Sequence, residues 1–137
     1  MNYSPEAVSS YLCQVKTAVR AGNYRIEQNH KRRKNLALFK DYVIDEAKCR
    51  EILLNLTSCD FSEILHNEHP GFTHEQLYVF GREVNLLQRF GDKEETVPLY
   101  IKLNKLENQF VIIISFHKQS YPLSCAFSKI QPPQCFT

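Results

Sequence analysis

The chain has no apolar run approaching the roughly 20 residues that span a bilayer; its longest, Phe110-Val111-Ile112-Ile113-Ile114, reads as a buried strand. The start, Met1-Asn2-Tyr3-Ser4-Pro5-Glu6, has neither the basic opening nor the apolar stretch of a secretory signal. No membrane association is expected. Glycines number only four, and neither a P-loop nor Gly-x-Gly-x-x-Gly occurs, so phosphate-cradling loops are poorly represented. No Cys-x-x-Cys pair occurs either. The five cysteines (Cys13, Cys49, Cys59, Cys125, Cys135) are scattered, which argues against a disulfide framework or zinc knuckle and predicts reduced thiols in a cytoplasm. His66, His69 and His74 lie near Cys59, Glu68 and Glu75, but at no standard zinc spacing, so no metal or other cofactor is expected. Cys59 and His66 lack a third, orienting group for thiol chemistry, and Cys59 reads as packing.

What is present fits one globular domain. Of 137 residues, 43% are hydrophobic and 23% charged, enough for a single core. The net charge of +2 hides an asymmetry: residues 1–50 carry an excess of five positive charges and residues 51–137 an excess of three negative ones. The positive excess gathers at Arg25, Lys31, Arg32, Arg33, Lys34 and Lys40. Such a patch attracts phosphates without regard to sequence; it is equally the composition of a solvated loop or of a surface that docks an acidic protein.

Helix signals dominate the first half. Ser4 suits an N-cap, Pro5 the first helical position and Gly22 the residue past the end, while Val8, Leu12, Val15 and Val19 form one apolar stripe. Residues 23–28 read as a short extended piece and 36–42 as a helical turn or two. Asp45 suits the N-cap of a helix burying Cys49, Ile52, Leu53 and Leu56. Asp60 and Glu63 resemble a capping box for a further short helix. After Pro70-Gly71 the texture turns to strands, at 76–80, 97–104, 109–117 and 121–127, with a fifth near 84–89 before an acidic turn. The expected fold is α+β: N-terminal helices packed on one face of a C-terminal antiparallel β-sheet, in a domain of residues 1–128, followed by an extended tail at 129–137.

The strands at 97–104 and 109–117 read as a hairpin with Asn104 opposite Gln109. One face then carries Val97, Leu99, Ile101, Leu103, Phe110, Ile112, Ile114 and Phe116, all apolar. The other carries Tyr100, Lys102, Asn104, Val111, Ile113, Ser115 and His117. Tyr, Lys and His on a half-open sheet are side chains suited to phosphodiester cleavage. His moves protons near neutral pH, Tyr donates or stacks, and Lys offsets phosphate charge. In this register Tyr100 and His117 stand about 13 Å apart, at roughly 3.3 Å per residue. Polar side chains on an outer sheet face are also simply normal.

Several short motifs carry a resemblance. They are Leu12-Cys13-Gln14-Val15-Lys16 with Ala18-Val19-Arg20-Ala21-Gly22-Asn23-Tyr24-Arg25; Ile52-Leu53-Leu54-Asn55-Leu56 with Asp60-Phe61; Val79-Phe80; Tyr100-Ile101-Lys102-Leu103; and Ile114-Ser115-Phe116-His117. Together these resemble the motility quorum-sensing regulator (MqsR) toxins over about residues 11–118. The resemblance implies a RelE-like fold, metal-independent endoribonuclease action on mRNA, and neutralisation by a partner antitoxin. It places the family's catalytic tyrosine on Tyr100, its final-strand lysine on His117 and its glutamine near Gln76, while Glu63 stands where the family has another lysine. On that reading His117 is the general acid or base, Tyr100 orients the substrate, and Lys102 and Arg89 contact phosphate. Arg82 and the Lys31–Lys34 group supply further positive charge. A RelE-like domain that binds RNA or protein without cleaving is the alternative, and Glu63 favours it.

Overall fold

The computed structural model describes residues 3–127 of the chain. Helix α1 (Pro5–Arg20) starts where the Ser4 hydroxyl accepts a hydrogen bond from the Ala7 N–H at 3.0 Å, and it ends before Gly22, whose φ of +79° is a left-handed value that glycine adopts without strain. Its stripe of Val8, Leu12, Val15 and Val19 is fully buried. Helix α2 (Arg33–Asp41) follows strand β1 (Tyr24–Ile26). Helix α3 (Glu46–Leu54) follows strand β2 (Tyr42–Val43) and is capped by the Asp45 carboxylate, which accepts from the Lys48 N–H at 2.8 Å. The helix expected after Asp60 is absent. Thr57 and Asp60 instead close a capping box around a single 3-10 turn at Ser58–Asp60, and Phe61–His66 is strand β3. The pairing of β3 with a neighbouring strand, which buries Phe61 against Phe80, overrides the local helix signal.

Strand β4 (Gln76–Gln88) is one continuous element running through Gly81, where two separate strands were expected. Strands β5 (Glu94–Lys105) and β6 (Val111–Lys118) complete the sheet. Its order is β1-β6-β5-β4-β2, with β3 also paired to β4. The sheet is mixed rather than purely antiparallel and C-terminal, because β1 runs parallel to β6 and β2 adds at the far edge. The fold is thus α+β. The segment 121–127 is not a strand. It crosses back over the sheet and is fastened by the Ala126 N–H to the Phe61 carbonyl at 2.9 Å. The expected tail at 129–137 lies outside the described residues. Among the described residues no helix is long and apolar enough to cross a membrane. Cys49, Cys59 and Cys125 form no disulfide, whereas Cys13 is disulfide-bonded, so the expectation of uniformly reduced thiols fails there.

The β5–β6 hairpin departs from the expected register. Tyr100 pairs with His117, Ile101 with Phe116 and Lys102 with Ser115, but Leu103 pairs with Ile113. A β-bulge therefore absorbs Ile114. Past it, Val111 and Ile113, not Phe110 and Ile112, turn inward and are completely buried. The reason lies on the other edge of β6: Tyr24 and Ile26 of β1 pair with Val111 and Ile113, fixing which residues face the helices.

β1 ends at Ile26, and the Asn35 side chain of α2 takes over its role. The Asn35 amide nitrogen donates to the carbonyls of Glu27 (2.8 Å) and Ile114 (3.0 Å), and its oxygen accepts from the Phe116 N–H (2.9 Å). The side chain is fully buried, so both backbone groups beside the bulge are satisfied by it. Asn35→Ala would leave those groups without partners and should cost about 2–4 kcal/mol of folding stability in a urea titration; a loss under about 0.5 kcal/mol would refute this role.

Candidate functional site

A hairpin loop at 106–110, where 105–108 was expected, shifts the ladder by three residues and the bulge by a fourth, and the two together join what the expected register separates. On the sheet face away from the helices Tyr100 and His117 are direct partners, with rings stacked at 5.1 Å between centroids and 7° between planes. Lys102 and Ser115 form the next rung of that face. On the neighbouring strand Gly81 lies opposite Tyr100 and Val79 opposite Lys102, with Glu63 beyond Val79 on β3. Val79 in this row is fully buried, and Leu123 and Gln119 lie directly over Gly81.

The backbone sets the tautomer of His117. Its Nδ1 lies 2.8 Å from the Lys118 carbonyl oxygen, which can only accept, so Nδ1 carries the hydrogen and Nε2 presents a lone pair. Burial pushes the imidazole below its ordinary pKa; the Lys118 carbonyl opposes this, and the charges of Lys34 and Lys102 add to it. Near neutrality His117 is accordingly an unprotonated base. Burial, with Tyr121 and Glu63 nearby, raises Tyr100, which keeps its phenolic proton and serves as a donor. Burial and Arg32 lower Lys102, while Glu68 partly restores it.

The basic cluster arrives at the same place. Lys31, Arg32, Arg33 and Lys34, at the start of α2, join Ser115 and His117 around a cavity of about 360 Å³. Asn35, the next residue along, pins this turn to β6. Arg32 occupies the helix N-cap and supplies no side-chain oxygen to the first-turn N–H groups, leaving the positive end of the helix dipole uncompensated by a capping side chain. Lys34 Nζ donates to Ser120 Oγ at 2.9 Å, tying the cluster to the chain that crosses the sheet.

Three expected phosphate contacts lie elsewhere. Arg89 is a structural residue: its guanidinium donates to the carbonyls of Phe39 (3.0 Å) and Tyr42 (3.3 Å), and its N–H to that of Asp41, closing the C-terminal end of α2. Arg82 pairs with Leu99 on the helix-covered face and is ion-paired with Asp60 at 3.0 Å. Gln76 also alternates onto that face and borders a different cavity, together with Tyr11 and Lys105. Positive charge or family position had nominated these residues, but side-chain parity along β4 and the open carbonyls of α2 decide where they point. Among the described residues no three His, Cys, Asp or Glu side chains converge as a metal centre would require.

Asn35, Ser120, Tyr121 and Gly81 were missed from sequence. Only Gly81 carried a signal, since a glycine inside a strand often marks close approach of another chain segment. A side chain there would meet Leu123 at 2.8 Å and the Gln119 amide at 3.0 Å. No protein-family model matches this chain, and neither a curated protein nor a solved structure matches it.

The lowered pKa of His117 has a signed consequence. The unfolded chain, with an ordinary value near 6.5, takes up the proton before the folded one does. The contribution of this group to stability is therefore constant above pH 6.5 and declines as pH falls from there through the folded pKa. An NMR titration of the imidazole should inflect below 6.5, and an inflection at or above 6.5 would contradict the description of the site.

Proposed function

We propose that the protein is a metal-independent endoribonuclease acting on mRNA, of the RelE-like, MqsR-type toxin kind, held in check by a partner antitoxin in the cytoplasm. One observation carries the reading: the His117 ring, its Nδ1 hydrogen-bonded to the Lys118 carbonyl, is stacked on Tyr100 beside Lys102, and Lys31–Lys34 line the same cavity. The layout of helices on one face of a largely antiparallel sheet is compatible with a RelE-like fold.

In this reading the phosphate sits between Lys102 and the Lys31–Lys34 turn, whose charges offset the negative charge that grows on the phosphoryl oxygens. His117 Nε2 takes the proton of the ribose 2′-OH as that oxygen attacks the adjacent phosphorus. The bond to the 5′-oxygen breaks, that oxygen acquires a proton from water, and a 2′,3′-cyclic phosphate remains. Tyr100 holds the imidazole by stacking and donates its O–H to a phosphate oxygen. Requiring a 2′-OH restricts the reaction to RNA. Arg89 and Arg82 have no part in it.

Glu63 favours a second reading. Its carboxylate shares the open face and repels phosphate, as suits a RelE-like domain that binds RNA or protein without cutting.

Pure protein should cleave single-stranded RNA in EDTA, leaving 2′,3′-cyclic ends and sparing DNA. His117→Ala should lower the rate about 10²–10⁴-fold. Tyr100→Phe, which keeps the stack but loses the hydroxyl, should lower it about tenfold. Salt-sensitive RNA binding without cleavage would establish the second reading instead.

A further inference from the structure

We propose that the cavity beneath the crossing segment 119–125 is a nucleobase subsite that selects bases bearing an exocyclic amino group; this rests on the ribonuclease reading of the Tyr100–His117 site. The cavity, about 610 Å³, lies between that segment and strands β4 and β5 and is lined in part by Gly81, Glu83, Pro98, Gln119 and Tyr121. It abuts the proposed site directly, since Gly81 is the β4 partner of Tyr100 and Glu83 that of Pro98, the next rung on the same face. A nucleotide whose phosphate lies at His117 thus has its base within one rung of this space.

The roof of the cavity is built in place. The Gln119 N–H donates to the Pro98 carbonyl at 2.8 Å and its side-chain amide to the Leu99 carbonyl at 2.9 Å. Ser120 is held by Lys34, and Ala126 by Phe61. The missing side chain at Gly81 lets Leu123 and Gln119 lie close over β4. Tyr121 is 61% exposed at the edge and supplies an aromatic surface for stacking.

The polar lining sets the selectivity. Gln119 commits one of its two amide N–H groups to the Leu99 carbonyl and keeps its oxygen as an acceptor. Glu83 enters none of the ion pairs of the described residues and offers carboxylate oxygens. Arg82, the nearby donor, is committed to Asp60. Asp60 and Arg82 neutralise each other, so among the described residues the one lining side chain whose charge is unpaired is the Glu83 carboxylate, an acceptor. An exocyclic amine presents two N–H donors to such a lining, whereas uracil has a single ring N–H flanked by two carbonyls that a carboxylate repels.

The test measures binding without cleavage, using fluorescence anisotropy and 2′-O-methyl oligonucleotides, which lack the attacking hydroxyl. Oligo(A) and oligo(C) should bind the wild type about tenfold tighter than oligo(U). Glu83→Gln, which adds a donor for the uracil O4, should bring the ratio close to one. Tyr121→Ala should weaken all three about tenfold and leave the ratio intact. Equal wild-type binding of the three oligomers, or a preference unchanged in Glu83→Gln, would overturn the inference even if ordinary RNA is cleaved. If the protein neither binds these oligomers nor cleaves RNA, the ribonuclease reading falls with it.

Discussion

The three hydrogen bonds of the Asn35 amide govern the rest of the structure. β6 must serve two masters: its first half pairs with β1 and turns Val111 and Ile113 inward, and its second half turns Phe116 inward. Strict alternation cannot satisfy both, because 113 and 116 are an odd number of residues apart. The bulge at Ile114 resolves the conflict, at the cost of interrupting the ladder where β1 has already ended. Asn35 fills that gap, receiving the Phe116 N–H and donating to the Ile114 carbonyl. Without it two buried backbone groups would lack partners.

The same contact links fold to chemistry. By stabilising the shifted register it sets His117 against Tyr100, and by anchoring the first turns of α2 it brings Lys31–Lys34 to the same cavity. A site assembled from a strand end and a helix start, far apart in sequence, is thereby held by one side chain belonging to neither set of proposed reacting groups. The remaining wall, the crossing segment, is held by Gln119 and by Lys34 itself.

The parts legible in the sequence are those governed by local rules. The caps at Ser4 and Asp45, the α1 stripe and the inward run of Val97, Leu99, Ile101 and Leu103 follow from short-range pattern, and the structure has them. The open face was legible at Tyr100, Lys102, Ser115 and His117, but not the closeness of Tyr100 to His117, because a register offset of four residues preserves the alternation. Val111 and Ile113 were assigned to the wrong face because a bulge leaves no mark in an unbroken apolar run. Arg82 and Arg89 show a different limit: sequence shows that a charge exists, while an Asp across a strand or a row of open helix carbonyls decides whether it is already used.

The proposed chemistry depends on His117 acting as a base from its stacked position, so the pH dependence of single-turnover RNA cleavage tests it most directly. The rate should fall on the acid side with an inflection below pH 6.5 that coincides with the NMR titration of His117, and that limb should vanish in the residual activity of His117→Gln. A profile flat through that range, or an acid limb that survives the substitution, would contradict the assignment of His117 as the proton acceptor.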